Sequence, residues 1–271
     1  DMYGDTIFHT AAMTNLNTDI LELLFSSGAD VNIRNKKGNT ALSTAVEHNL
    51  KDQIKFYVNH GADIHAEDSA HTTPYIRVLN STDGMFEAMI NSSNINSVDS
   101  EGNTPLLIAI QKEAPVSKIR YLIQSGSNVN ARNREGNSAL YYAVQNNSRE
   151  IGKLLLEKDA NIFSANTKEI SPLKLALTGE GNDWLINSNT ITSTDGSGNT
   201  VLHYAADWKL TKAVKYLVQK GAKIDARNAN GQTPLFNAAK SDSAAIISAL
   251  LTSGADINTR DQLGSTPLHA A

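Results

Sequence analysis

The chain returns to a nine-residue frame, Gly-x-Thr/Ser-x-x-x-x-Ala-x, at nearly constant distance, and this periodicity restricts its fold more than any other feature. The frame reads GDTIFHTAA from Gly4, GNTALSTAV from Gly38, GNTPLLIAI from Gly102, GNSALYYAV from Gly136, GNTVLHYAA from Gly198, GQTPLFNAA from Gly231 and GSTPLHAA from Gly264. Weaker copies begin at His71 (HTTPYIRVL) and Glu169 (EISPLKLAL), so consecutive starts lie 29 to 34 residues apart. A period of this size marks a stacked array, in which each unit buries its apolar face only against its neighbours.

Inside one period, two apolar clusters with helical spacing flank a polar stretch. In the first unit these are Ile7, Phe8, Ala11 and Ala12, then Ile20, Leu21, Leu23 and Leu24, separated by Thr14 to Asp19. The pattern predicts two short antiparallel helices. Thr or Ser at the third frame position is a helix start, because its hydroxyl can accept from the free N–H groups of the first turn. Pro74, Pro105, Pro172, Pro234 and Pro267 follow it, at a position where the missing N–H has no intrahelical partner. Gly28, Gly61, Gly126, Gly221 and Gly254 close the second helix in the slot of a left-handed cap. Segments such as Ala29 to Asn32, Ala62 to His65 and Ala255 to Asn258 then lead into a projecting loop that ends at the next frame.

These residues resemble the ankyrin repeat. Thr266-Pro267-Leu268-His269 and Gly254-Ala255-Asp256-Ile257-Asn258 carry the likeness most fully, and it extends over residues 1–271. The resemblance implies an all-α solenoid of helix-turn-helix units, elongated and curved, with projecting β-hairpin fingers. It also implies a single domain of units 1–34, 35–67, 68–98, 99–132, 133–165, 166–194, 195–227 and 228–260, with a partial unit at 261–271. The family role is a binding scaffold without catalysis, using the fingers and the concave face of the first helices. The frame's His slot holds Ser43, Ile76, Leu107, Tyr141, Lys174 and Phe236 in most copies, which removes the usual side-chain bonds to neighbouring loops.

Two units depart from the pattern. Residues 68–98 lack the Gly-Ala after the second helix, and residues 166–194 are four short of 33, about one helical turn. One reading places a local stability minimum at residues 176–192; the other is a shortened, well-packed unit in which Trp184 fills the gap.

The chemistry that the chain can carry is limited. Zero cysteines exclude disulfides and thiolate sites without fixing a compartment, and a net charge of −4 offers no general attraction to phosphate or anionic lipid. No apolar run approaches the ~18 residues of a membrane span. Nucleophile elbows, zinc-protease motifs and phosphate loops are missing from the sequence. His9, His203 and His269 occupy the structural slot, while His60, His65 and His71 lie near acids but on a cap, a loop and a finger base, which does not suit a metal. No cofactor or metal is expected. The finger tips alternate in sign (Arg34, Lys36 and Lys37; Glu67 and Asp68; Asp99 and Glu101; Arg132, Arg134 and Glu135), which is not the basic stripe that nucleic acid requires.

Large side chains in the outward slots are the candidate partner contacts. They are Met2, Tyr3 and Met13, then Lys36, Lys37, Glu47 and His48, and principally Arg77, Ile108, Arg134, Tyr142, Tyr204 and Trp208. Tyr142 and Tyr204 have the alternative of covering the next helix, and Trp208 that of packing into the short unit. The expected function is a non-catalytic protein-interaction scaffold, monomeric and soluble, with a protein partner. The alternatives are a regulatory or spacer arm of a longer protein, or a ligand-binding or enzymatic subunit. An Asp at residue 1, and a last frame that stops within its first helix, read as the ends of a fragment. The Asn, Ile, Lys and Ser bias hints at a bacterial source, including an exported protein.

Overall fold

In the computed structural model, residues 2–271 are described. Helices come in pairs: α1 (Ile7–Thr14) and α2 (Thr18–Ser26), α3 (Ala41–Glu47) and α4 (Lys51–Asn59), α5 (Pro74–Val78) and α6 (Met85–Met89), α7 (Pro105–Gln111) and α8 (Val116–Gln124). Next come α9 (Ala139–Gln145) and α10 (Arg149–Leu156), then α11 (Pro172–Thr178), which is followed by 3-10 turns at Asp183–Leu185 and Thr190–Thr192. The chain ends with α12 (Val201–Asp207) and α13 (Thr211–Gln219), α14 (Pro234–Lys240) and α15 (Ala244–Thr252), and a 3-10 turn at Pro267–Ala270.

The start signals act as their chemistry requires. Thr40, Thr73, Thr104 and Ser171 each accept, through the side-chain oxygen, the N–H three residues on. Between the helices of most pairs the chain turns through a left-handed residue that is not glycine, as at Asn15, Asn49, Asn147 and Asp242, residue types that tolerate this region. The frame start is left-handed as well, held by glycine in seven copies and by His71 (φ +55°) and Glu169 (φ +59°) in the two weaker ones. At Gly198 φ is +75°, and a Cβ there would meet the Ala229 nitrogen of the next finger at 3.0 Å. Fingers are reduced to their turns: among the described residues, the only bridges outside strands are Arg132 with Ser138 and Thr194 with Thr200.

Each finger is held by an Asp or Asn three residues before the frame start. Asp99 Oδ1 accepts the N–H of Glu101 at 2.9 Å and of Asn103 at 2.8 Å, and Asn35, Asp68, Asn166, Asp195, Asn228 and Asp261 make the same pair of bonds. Backbone bonds then join finger to finger, as in Arg134 N–H to Glu101 O at 2.9 Å and Ala229 N–H to Ser197 O at 2.8 Å.

Contacts divide the chain into two compact units. In the first, up to Tyr142 together with Glu157–Ala160, α1 packs on α3, α3 on α4 and α5, and α4 on α2 and α6. Its core includes Phe8, Leu42, Ile54, Tyr57, Tyr75 and Phe86, and the buried phenols are satisfied: Tyr57 donates to Phe8 O and Tyr75 to Pro105 O.

In the second unit, Ala143–Leu156 with Asn161–Ala271, α12 packs on α13 and α14, and α15 on α13 and α14. The two 3-10 turns replace the second helix of residues 166–194. Trp184, 6% exposed, fills the space this leaves. Its indole N–H donates to Asn147 Oδ1 at 3.3 Å, and its ring lies so close to Gly152 that no Cβ fits there. Of the two readings of this segment, the packing is that of the shortened unit closed by Trp184.

Candidate partner-binding site

Four of the six principal candidates, Arg77, Ile108, Tyr142 and Tyr204, share one slot, six residues past the frame start. The same slot lies nine residues after the finger's Asp or Asn, and the helix start brings the two side chains together. Arg77 pairs with Asp68, Tyr142 Oη accepts from Asn133 Nδ2 at 3.0 Å, and Tyr204 Oη donates to Asp195 Oδ2 at 2.7 Å. A polar tip in this slot is therefore tethered to its own finger.

Ile108 has no such tip. It is 4% exposed, on a helix buried at every residue from Pro105 to Ile110, so it is not the outward contact expected from its slot. An unbranched polar side chain extends past the helix to its finger, whereas Ile gains more by staying inside.

In the first unit, Arg77 also lies 3.7 Å from Glu47. The Asp68 side chain is only 4% exposed. Burial works to raise its pKa, but the Arg77 guanidinium and the N–H groups of Thr72 and Ala70 outweigh this and hold it below the usual aspartate value. Tyr142 is half-buried, crosses Tyr141 edge-on at 5.5 Å, and also accepts from Asn137 Nδ2. Arg134 is exposed at a finger tip.

The second unit concentrates aromatic surface. Tyr204 stacks on Phe163 with centroids 5.4 Å apart and planes at 29°, and it meets Trp208 at 5.0 Å. Lys174 Nζ lies 5.5 Å from the centre of the Trp208 ring, within cation–π range. All four side chains are half-buried, so they form a supported strip rather than isolated exposed rings. Trp208 does not fill the short unit, a role taken by Trp184. Burial and the bond to Asp195 push the Tyr204 phenol far up. Asp195 is held below the usual range: burial opposes this, but Tyr204, the Asn199 side chain and the N–H groups of Asn199 and Ser197 prevail. Phe163, Lys174 and Asp195 escaped the sequence reading. A phenylalanine at a finger base was the available signal.

The histidines are engaged separately. His9 Nδ1 accepts from the Thr6 N–H at 3.2 Å and its Nε2 donates to Asn39 O at 2.8 Å; His203 repeats this with Thr200 and Gln232 O. His60 stacks on Phe56 and faces Glu22 at 3.1 Å, His65 bonds Ser97, and His71 faces Glu67 at 3.2 Å. Among the described residues no helix is long and apolar enough to cross a membrane.

Comparison with known proteins bears on this arrangement. The family model for ankyrin repeats (3 copies) matches residues 1–68, 78–166 and 224–271, and the model for a single ankyrin repeat matches residues 197–229. One ankyrin repeat protein of fowlpox virus (strain NVSL) is 41% identical over 58 residues, or 21% of this chain and 31% of that protein. Neurogenic locus notch homolog protein 1 of Homo sapiens is 32% identical over 109 residues, 39% of this chain and 4% of that protein. The chain thus spans less than a third of either relative. The crystal structure of the ankyrin repeat domain of Bcl-3 aligns with a TM-score of 0.49 at 24% identity, over 92% of this chain and 99% of that one. These relatives are viral and eukaryotic, and the compositional hint of a bacterial source finds no support among them.

Proposed function

Because the chain belongs to the ankyrin-repeat family, we propose that it is a non-catalytic scaffold that holds a protein partner on the side formed by its first helices and finger loops. The observation that carries this is the strip of Phe163, Tyr204 and Trp208 beneath Lys174. Aromatic rings supply large contact area with few rotatable bonds and dominate binding hot spots. Here three of them are in contact, Phe163 stacked on Tyr204 and Trp208 tilted against it, all half-buried and with Tyr204 bonded to Asp195, so little ordering remains for a partner to impose. In the first unit, Arg77, Arg134 and Tyr142 offer polar contacts on the equivalent side. Nothing in the strip resembles catalytic machinery: its titratable members, Asp195 and Tyr204, stabilise each other in their resting forms.

Affinity capture with the chain as bait, quantified by mass spectrometry, tests the reading. Proteins retained by the wild type should be lost with Tyr204→Ala/Trp208→Ala and with Tyr142→Ala, while far-UV circular dichroism stays unchanged. Undiminished capture by both variants would move the binding surface elsewhere.

A further inference from the structure

The fingers of the first unit enclose an open groove of about 670 Å³. Its apolar lining is Ala66, Ile76 and Val98, with Val98 57% exposed. Its rim carries the carboxylates of Asp63, Glu67, Asp99 and Glu101. The groove lies where the frame copy HTTPYIRVL places Ile76 in the His slot, so the slot itself sends no imidazole to the next finger and the bridge is made by His65 to Ser97 instead, and where α5 and α6 have only five residues each.

The four rim carboxylates are only partly offset from within, since Arg34 is the single permanent cation among the lining residues. Asp63 accepts the His65 N–H at 2.8 Å, and Asp99 accepts N–H groups of Glu101 and Asn103. Among the described residues no lysine or arginine pairs with Asp63, Glu67, Asp99 or Glu101, whereas the neighbouring Asp68 is already taken by Arg77. Arg34 is the one arginine on the groove wall, and its Nε–H is directed to Gly38 O at 3.1 Å. His71 faces Glu67 from an exposed position. His65 adds no further cation. Ser97 Oγ donates to Asn94 O, so His65 Nε2 must donate to Ser97 Oγ, and burial lowers the basicity of the ring despite Asp63 and Asp99 beside it.

We propose that this groove receives a basic stretch of a partner protein, with the aliphatic stems of Lys or Arg lying on Ile76 and Val98 and their charged heads on the rim carboxylates. Long cationic side chains are suited to an apolar lining beside an acidic edge, because stem and head are satisfied at once. A bare metal ion is a poorer match: among the described residues no three carboxylate or imidazole groups are gathered to hold one. The proposal depends on the reading of the chain as a binding scaffold, but not on the aromatic strip, which belongs to the other unit.

The test is fluorescence anisotropy with the whole chain and a labelled short peptide of alternating Leu and Arg, against a matched Leu-Glu peptide. The Arg peptide should bind and the Glu peptide should not. Glu67→Gln/Glu101→Gln should weaken binding roughly three- to thirtyfold, as expected for two exposed charge pairs. Asp52→Asn/Glu113→Gln, which changes the net charge equally at exposed residues of the same unit that do not line the groove, should alter it less than about twofold. Methyl resonances of Ile76 and Val98 should shift on titration. Equal weakening by both double variants, unmoved Ile76 and Val98 methyls, or no binding of the Arg peptide at low salt would each overturn the proposal. Tyr204→Ala/Trp208→Ala should leave peptide binding intact, so failure of the strip and failure of the groove are read separately.

Discussion

Gly152 sits in the interior of α10, where glycine is a poor choice, and Gly→Ala at an ordinary helix position gains about 1 kcal/mol. At this position we expect the opposite. A Cβ would lie 2.1 Å from Trp184 Cη2, 2.3 Å from Cζ3 and 3.0 Å from Cζ2, against a normal carbon contact of about 3.5–4.0 Å. The ring is nearly fully buried and tied to Asn147, so it yields only by breaking its packing and its hydrogen bond. Overpacking of this kind costs about 1–3 kcal/mol, and after the helix gain of about 1 kcal/mol is subtracted Gly152→Ala should destabilise by up to about 2 kcal/mol. Trp184→Ala alone should cost about 3–5 kcal/mol. In that background the obstacle is gone, and Gly152→Ala should revert to a gain of about 1 kcal/mol. Urea unfolding of the four proteins, followed by far-UV circular dichroism, gives the cycle. A higher midpoint for Gly152→Ala in the wild-type background, or the same change in both backgrounds, would refute the argument that Trp184 closes the short unit.

Three further outcomes follow from the finger bonds. Tyr204→Phe deletes a hydrogen bond to a carboxylate on a half-buried ring and should cost about 1 kcal/mol near neutral pH. Because the folded Asp195 is more acidic than the unfolded one, its contribution is complete above the ordinary aspartate range and is lost as pH falls through the depressed folded value; Tyr204→Phe should flatten that acid limb in urea midpoints. Arg77→Ala strands the nearly buried Asp68 carboxylate and should cost about 1–3 kcal/mol. Adding Asp68→Asn should recover part of this in thermal melts, since Asn35, Asn133 and Asn228 hold their fingers with an amide oxygen. His203 is less basic in the fold than when unfolded, mainly through burial. Its stabilisation is complete above about pH 6.5 and declines as pH falls through the folded value, because only the unfolded state takes up the proton early. His203→Gln should lower stability at neutral pH and remove that part of the pH slope.

Signals that act over a few residues were legible in the sequence. The Thr or Ser cap, the Pro behind it and the Gly that ends five of the second helices (Gly28, Gly61, Gly126, Gly221 and Gly254) are decided by backbone groups within one turn, and each stands in the structure where its pattern put it. What could not be read depends on neighbours a full period away. Trp184 and Trp208 look alike as candidates to fill the short unit, and only the position of Gly152 against one of them decides. Phe163 meets Tyr204 across a whole repeat, so neither residue announces the strip by itself. Ile108 departs from the outward reading because its helix is buried at every residue from Pro105 to Ile110, a packing that the slot by itself does not reveal.

That distinction bears on how the proposed scaffold would take up a partner. At Asp68, Asn133 and Asp195 the finger-base residue uses one oxygen on the backbone turn and its second group on the slot nine residues on, whereas Asn35, Asn228 and Asp261 give the second group to a neighbouring repeat. Where the slot holds Arg77, Tyr142 or Tyr204, the side chain is anchored at its polar end before any partner arrives. Immobilising a free side chain on association costs about 0.5–1.5 kcal/mol, and an anchored one has already met much of that cost in folding. Substitution in the slot therefore changes the partner surface without disturbing the finger, because the turn bonds to N–H groups two and four residues on do not involve the slot at all. Ile108 shows the separation directly: its finger, built on Asp99, keeps both turn bonds although its slot contributes nothing to the surface.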